Sequence, residues 1–188
     1  MILEGIVTTH NEDGTINVSP MGPEVGDDTV VNQFVLKPFN TSQTYRNLKR
    51  GGVGVLHVTD DVLLIARAAI QQLTEVPTID ENCGNQRLVL ANACRWYEFE
   101  VVELDDEQQR TRIQCQTTQQ GELRPFWGFN RAKHAVLEAA ILATRVGILE
   151  RQEIDQQMQQ LEIIVGKTAG AQELAAFELI QRFLAVRN

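Results

Sequence analysis

The sequence predicts an α+β fold in which β-rich residues 1–127 precede an all-helical segment, 128–188. Two observations carry that prediction. Up to "GELRPFWGF", β-branched runs of strand length are separated by clusters of Gly, Pro, Asn and Asp. From Asn130 onward, apolar residues recur at helical spacing between capping residues. Strands first and helices afterwards is an α+β order.

The first strand is "ILEGIVTT", residues 2–9. "HNEDG" turns the chain at Gly14 and "TINVS" returns, which is a hairpin with a loop of several residues. The returning strand then meets Ser19, Pro20, Met21, Gly22 and Pro23. Pro cannot donate to a ladder and Gly has nothing to pack, so the ladder is expected to break there. "TVVNQFVLKP", 29–38, is a further strand ended by Pro38, and "VGVLHVT", 53–59, is another. "CRWYEFEVVEL" and "RTRIQCQTT" form a long hairpin across "DDEQQ". Alternation puts Trp96, Glu98 and Glu100 on one face, and Tyr97, Phe99 and Val101 on the other.

Two helices interrupt the strands. "TSQTYRNLKRGG" is capped by Thr41 or Ser42, carries Lys49 and Arg50 in its last turn, and stops at Gly51-Gly52. "DDVLLIARAAIQQ" starts at Asp60 or Asp61, although its apolar run suits a strand as well. In the tail, Asn130 caps a helix that stops at Gly147, a second helix stops at Gly166, and Thr168 caps a third. The Gln-rich patch at 156–160 alternates with Ile154, Met158 and Leu161 and reads as a solvated helix face. Asp60 and Asp61 read as caps, and Trp96 and Trp127 as packing residues.

Bulk properties narrow the function. Apolar content is 43% and charged content 22%, as in ordinary globular proteins. Net charge is −8 and there is no basic stripe, only the small cluster Arg46, Lys49, Arg50, which argues against a nucleic-acid surface. Cys83, Cys94 and Cys115 are odd in number and widely spaced, so neither a disulfide framework nor a metal site is expected. "MILEGIVTTH" has no basic n-region and no run reaches membrane-span length, which reads as cytoplasmic.

Several motifs fail on inspection. "VGKT", 165–168, lacks the first Gly of a phosphate-binding loop, since Leu161 stands there, and it follows a helix. "GGVGVLH" loses the dinucleotide fingerprint at His57. His10, His57 and His134 show no ligand spacing, and there is no Gly-x-Ser-x-Gly elbow.

What remains is a strand end at Asn17–Gly22 and a helix start rich in hydroxyls, Thr41, Ser42 and Thr44. A helix start offers unpaired N–H groups and partial positive charge, so it suits an anion, above all a phosphate. Plain N-capping explains the same residues, and spacing alone favours capping.

The order "EGIVTTHNEDGTINVSPMG", "FNTSQTYRNLKRGGVGVLHVTDD", "GFNRAKHAVLEAAILATR" resembles a domain-of-unknown-function family. That family has an FMN-binding split β-barrel and a helical C-terminal domain, and is related to flavin reductase-like and pyridoxamine-phosphate-oxidase-like proteins. The resemblance covers nearly the whole chain. It implies FMN as cofactor, with Ser19, Pro20, Met21 and Gly22 against the flavin ring. Thr41, Ser42 and Thr44 then hold the phosphate, and Tyr45, His57 and Thr59 are further cofactor-binding residues, the last two on the next strand. It also implies a homodimer with flavin at the interface.

Arg131 and His134 share a face at the start of the first tail helix. They read either as an ion-pair partner and an interfacial histidine, or as ligands for an anionic substrate. An FMN-dependent oxidoreductase acting on an unidentified small molecule, with a nicotinamide or a pterin among the candidates, is the leading expectation from the resemblance. A flavin-binding module without turnover, or a barrel that has lost flavin and presents its tail as an interaction surface, are the alternatives.

Overall fold

A computed structural model describes residues 1–27, 30–75, 77–80 and 88–187. The chain divides into two compact units, residues 1–59 with 75–126, and residues 60–74 with 127–188.

Among the described residues, the first unit is a seven-stranded antiparallel sheet with one helix. Its elements are β1 (Gly5–His10), β2 (Ile16–Met21), β3 (Glu24–Val25), β4 (Gln33–Leu36), α1 (Gln43–Gly51), β5 (Val53–Val58), β6 (Arg95–Asp105) and β7 (Arg112–Glu122). Strand order is β2-β1-β5-β6-β7-β4-β3. Of the strand expected at 29–38, the regular part is β4; Thr29 lies outside the described residues, as does Cys83.

The β1–β2 turn closes with the Asn11 N–H on the Thr15 carbonyl at 2.8 Å, and the Asp13 carboxylate accepts from the Thr15 N–H at 3.0 Å. The ladder does not break where the sequence suggested. β2 runs through Pro20 and Met21, which pair with Ile6 and Gly5. β2 is an edge strand, so Pro20 needs a partner on one side only and its missing N–H costs no inner ladder bond.

One sheet face and α1 enclose a core of Val7, Phe34, Leu36, Tyr45, Leu48, Leu56, Tyr97, Phe99, Ile113 and Cys115. Phe34 and Phe99 meet edge to face with centroids 5.1 Å apart, a geometry worth about 1 kcal/mol beyond burial. Gly54 is required opposite them: a Cβ there would come within 2.8 Å of the Phe99 ring. The other face carries Val55 and Trp96, packed with Leu88 and Val89. The Thr8 hydroxyl fastens this covering segment by donating to the Leu88 carbonyl at 2.7 Å.

The second unit holds α2 (Val62–Ala69), α3 (Arg131–Ala143), α4 (Arg151–Thr168) and α5 (Ala171–Ala185). The apolar run 62–69 is a helix, capped by Asp61, whose carboxylate accepts from Leu64 N–H at 3.0 Å. It packs into one core with α3, α4 and α5. Alanines at 132, 135, 139, 140 and 143 keep the α3 contact face thin, so neighbouring helices approach closely.

Four expectations need correction here. Asp60 is no cap: its carboxylate accepts from the Trp127 N–H at 2.9 Å and its carbonyl from Lys133 Nζ at 2.7 Å. α4 continues through Gly166 to Thr168, whose hydroxyl donates back to the Ile164 carbonyl, so Thr168 ends one helix and does not start the next. Gly170 is the N-cap of α5, and Glu173 accepts its N–H at 2.8 Å. Trp127 is not packed in its unit either; its side chain is 86% exposed, beside Gly128 with φ 114°.

Candidate functional site

The start of α1 combines a side-chain cap, backbone N–H groups without protein acceptors among the described residues and a nearby cation. Ser42 adopts an extended conformation, φ −76° and ψ 154°, and its Oγ accepts from the Tyr45 N–H at 3.2 Å. Its carbonyl takes the Arg46 N–H. The N–H groups of Gln43 and Thr44 meet no protein acceptor among the described residues. No acidic residue occupies the first turn. The exposed Arg46 guanidinium folds back along it, donating to the Thr41 carbonyl at 2.7 Å and to Gln43 Oε1 at 2.6 Å. Helix dipole, unpaired N–H groups and a neighbouring cation act in the same sense.

The inward side of the same turn is braced to the sheet. Thr44 is buried, and its hydroxyl accepts from Asn17 Nδ2 at 3.0 Å. Asn17 Nδ2 also donates to Thr9 Oγ1 at 3.2 Å. Asn47, buried one turn further on, donates to Thr9 Oγ1 and Asn11 Oδ1, both at 2.9 Å. Its own oxygen accepts from Gln43 Nε2 at 2.9 Å and Arg50 Nη2 at 3.3 Å. Asn11, Glu12, Asp13 and Gln43 line an open groove of about 590 Å³ beside this network. The Thr15 hydroxyl and N–H hold the Asp13 carboxyl below its ordinary range.

The residues singled out from sequence fall in different places. Asn17, Ser19 and Met21 alternate onto the face shared by Thr9 and the barrel core, and Pro20 points to the opposite face. All six β2 residues stay half-buried, so that end of the inner face is incompletely covered. Gly22 lies exposed just past the strand, close to Ile2. Thr41 is exposed. Tyr45 is buried in the core; its hydroxyl donates to Asp106 Oδ2 at 2.5 Å, and Lys49 completes the cluster at 2.6 Å from the same oxygen. Hydrogen bonds from Lys49 and Tyr45 lower the Asp106 carboxyl below its usual range.

His57 is fully buried on the opposite face of the sheet from Leu56 and the α1 core. Leu90 N–H donates to Nε2 at 3.0 Å, so the proton sits on Nδ1, which donates to the Ile6 carbonyl at 3.2 Å. Burial pushes its pKa down to about 4. Both nitrogens are thus engaged, Nε2 in fastening the 88–90 segment and Nδ1 in holding the ring to β1. Thr59 is buried at the end of β5.

In the helical unit, Arg131 and His134 are exposed at the start of α3, and the His134 ring stacks on Phe129 with centroids 6.0 Å apart. Between them in sequence, Lys133 turns inward to Glu173 at 2.8 Å. Burial works to raise the Glu173 carboxyl, but the Lys133 hydrogen bond and the Gly170 N–H outweigh it and hold it low.

Sequence reasoning named neither Asn47 nor Arg46 as part of this site. Gln43 and Asn47 stand at i and i+4, a spacing that pairs side chains on a helix. That signal was present; the strand partners Thr9 and Asn11 were not inferable without the fold. Among the described residues no cluster of His, Cys, Asp and Glu could hold a metal ion, and no helix is long and apolar enough to cross a membrane.

No curated protein matches the chain. Among solved structures, an FMN-bound protein from Methanosarcina mazei is similar over 97% of this chain and 94% of its own, with TM-score 0.81 and 22% identity. The styrene monooxygenase flavin reductase of Pseudomonas putida S12 matches 65% of this chain and 82% of its own, at TM-score 0.55 and 13% identity. The flavin reductase HpaC, crystallised with NADP+, matches 69% and 82%, at TM-score 0.54 and 15% identity. The first unit therefore has the split β-barrel fold of flavin reductase-like proteins. The model described as "Protein of unknown function (DUF447) N-terminal domain" matches residues 3–124, and its companion, "Protein of unknown function (DUF447)", matches residues 130–182. With both models matched in order along one chain, this protein belongs to the DUF447 family.

Proposed function

We propose that this protein is an FMN-binding flavoprotein and that it works as an oxidoreductase on a small anionic substrate. The observation that carries the reading is the start of α1, where two N–H groups without acceptors and an adjacent guanidinium fit a phosphate, with no acid in the turn. The half-buried inner face of β2 gives a flat ring somewhere to lie, and Met21 offers it a soft apolar contact. The FMN-bound relative of the same family supports this choice of ligand.

In this reading the Gln43 and Thr44 N–H groups and the Ser42 and Thr41 hydroxyls hold the phosphate, while Arg46 neutralises its charge. Ser19, Met21 and the backbone at Gly22 border the ring. Tyr45 acts from the core by locking α1 to the β6–β7 turn through Asp106. His57 stays neutral across the physiological range, because burial disfavours its charged form and holds its pKa down to about 4. Bound FMN would supply hydride or electron transfer at its ring. Arg131 carries a permanent charge and His134 an exposed imidazole on one turn of α3, suited to a negatively charged substrate. The NADP+ in HpaC supports a nicotinamide as the electron donor.

We assign a homodimer to the functional form, as the family resemblance implies; Ile2, Val53 and Val102, 64%, 56% and 63% exposed, are apolar surface that such an interface could cover. Light scattering at low concentration should give twice the 21.1 kDa chain mass. The function itself is tested by the absorption spectrum of the purified protein, with mass identification of whatever denaturation releases. A flavin band with FMN released, bleached by a reduced nicotinamide, supports the reading. A protein that takes up no flavin ends it, and one that binds FMN but is reduced by no donor is a flavin holder.

A further inference from the structure

The polar brace beneath α1 is more than a way of filling the core. Asn47 uses both amide protons and both oxygen lone pairs, on Thr9, Asn11, Gln43 and Arg50. Arg50 can only donate, so it fixes which end of the Asn47 amide faces it. Asn47 must then donate to Thr9 and Asn11, Asn11 donates to Thr15 at 2.9 Å, and Thr15 to the Asp13 carboxylate at 2.6 Å. Donation runs in one direction from a cation to an anion. The network's ends are exposed, but its inner members Thr9, Thr44 and Asn47 are buried with partners, and buried polar groups satisfied in this way fix geometry more tightly than apolar contact does.

Thr44 sits where this network reaches the ligand side. Its hydroxyl points inward to Asn17, and its N–H is one of the two without an acceptor at the helix start. We propose that Asn17 and Thr44 are positioning residues, a strand-to-helix brace that sets the first turn of α1 and thereby the phosphate affinity, while neither side chain touches the phosphate. This rests on the FMN reading above. The Thr9 hydroxyl, accepting from both Asn17 and Asn47, ties the brace to the rest of the network.

The experiment is a double-mutant cycle on apo-protein. Wild type, Asn17→Ala, Thr44→Val, their combination and Thr44→Ser are titrated with FMN and with riboflavin, and amide exchange is followed at Tyr45 and Arg46 without ligand. The brace predicts that each single removal raises the FMN Kd about three- to tenfold while riboflavin stays within about twofold. Exchange at the two amides quickens, the double variant matches the singles, and Thr44→Ser, which keeps the hydroxyl, stays near wild type. FMN losses that add in the double variant, with exchange unchanged, make Thr44 a direct ligand and overturn the brace. Equal losses for both flavins overturn it too, as damage to the fold. If wild type itself binds FMN no better than riboflavin, the phosphate site has failed, and that is read before any variant.

Discussion

The Asn17 side-chain amide donates to the Thr44 hydroxyl at 3.0 Å, tying an edge strand of the sheet to the second residue of α1. A strand that must carry Asn17 and Ser19 toward the helix cannot be uniformly apolar. This explains a hairpin arm that looks broken in sequence yet stays in the ladder to Met21.

Ser42 should show two separable effects. Ser42→Ala removes the cap on Tyr45 N–H and should cost about 1 kcal/mol in urea unfolding, whereas Ser42→Gly should cost only a few tenths. In the FMN reading both variants also lose a phosphate hydroxyl, so both should weaken FMN by about 1–3 kcal/mol and barely change riboflavin. Calorimetric titration with each flavin checks this; an FMN loss that tracks the stability loss would reduce Ser42 to a cap.

His57 should make the fold acid-sensitive. Its ordinary pKa is 6.5, and burial lowers it to about 4 in the folded protein. Below pH 6.5 the unfolded chain takes up a proton that the folded one refuses until about pH 4. Its contribution is therefore complete above pH 6.5 and is lost as pH falls through that window, by about 3 kcal/mol in all. Urea unfolding at intervals between pH 7 and 4 should show the decline in wild type and a shallower slope in His57→Gln. Identical slopes would remove His57 as the cause.

Lys133 and Glu173 form an ion pair whose side chains are 15% and 8% exposed. Lys133→Ala leaves the carboxylate buried without its cation and takes a donor from the Asp60 carbonyl, so it should destabilise by about 3 kcal/mol or more. Lys133→Ala with Glu173→Gln should recover much of that loss. Denaturant unfolding of the three proteins measures it, and a single variant as stable as wild type would contradict the assignment.

Local grammar made most of the elements legible. Ser42, Asp61 and Asn130 cap the helices they were expected among the candidates to cap, because an Asx or hydroxyl side chain before an apolar period has few other uses. The misreadings arose where tertiary context outweighs local preference. Pro20 is harmless only because β2 lies at an edge, and Gly166 is carried through by a helix already packed on both sides of it, at Ile164 and Val165 before and Ala169 after. Of the candidate site, the hydroxyl-rich start of α1 was visible in the sequence, whereas Asn47 was not, since its partners lie 36 and 38 residues away in the chain.

The most direct measurement is the ratio of FMN to riboflavin affinity on the apo-protein at moderate salt, since the two ligands differ by the phosphate alone. If the start of α1 holds that phosphate, FMN should bind at least about tenfold more tightly, with the advantage shrinking as salt rises and as Arg46 is replaced by Ala. Equal affinity for the two flavins would contradict the account at its centre.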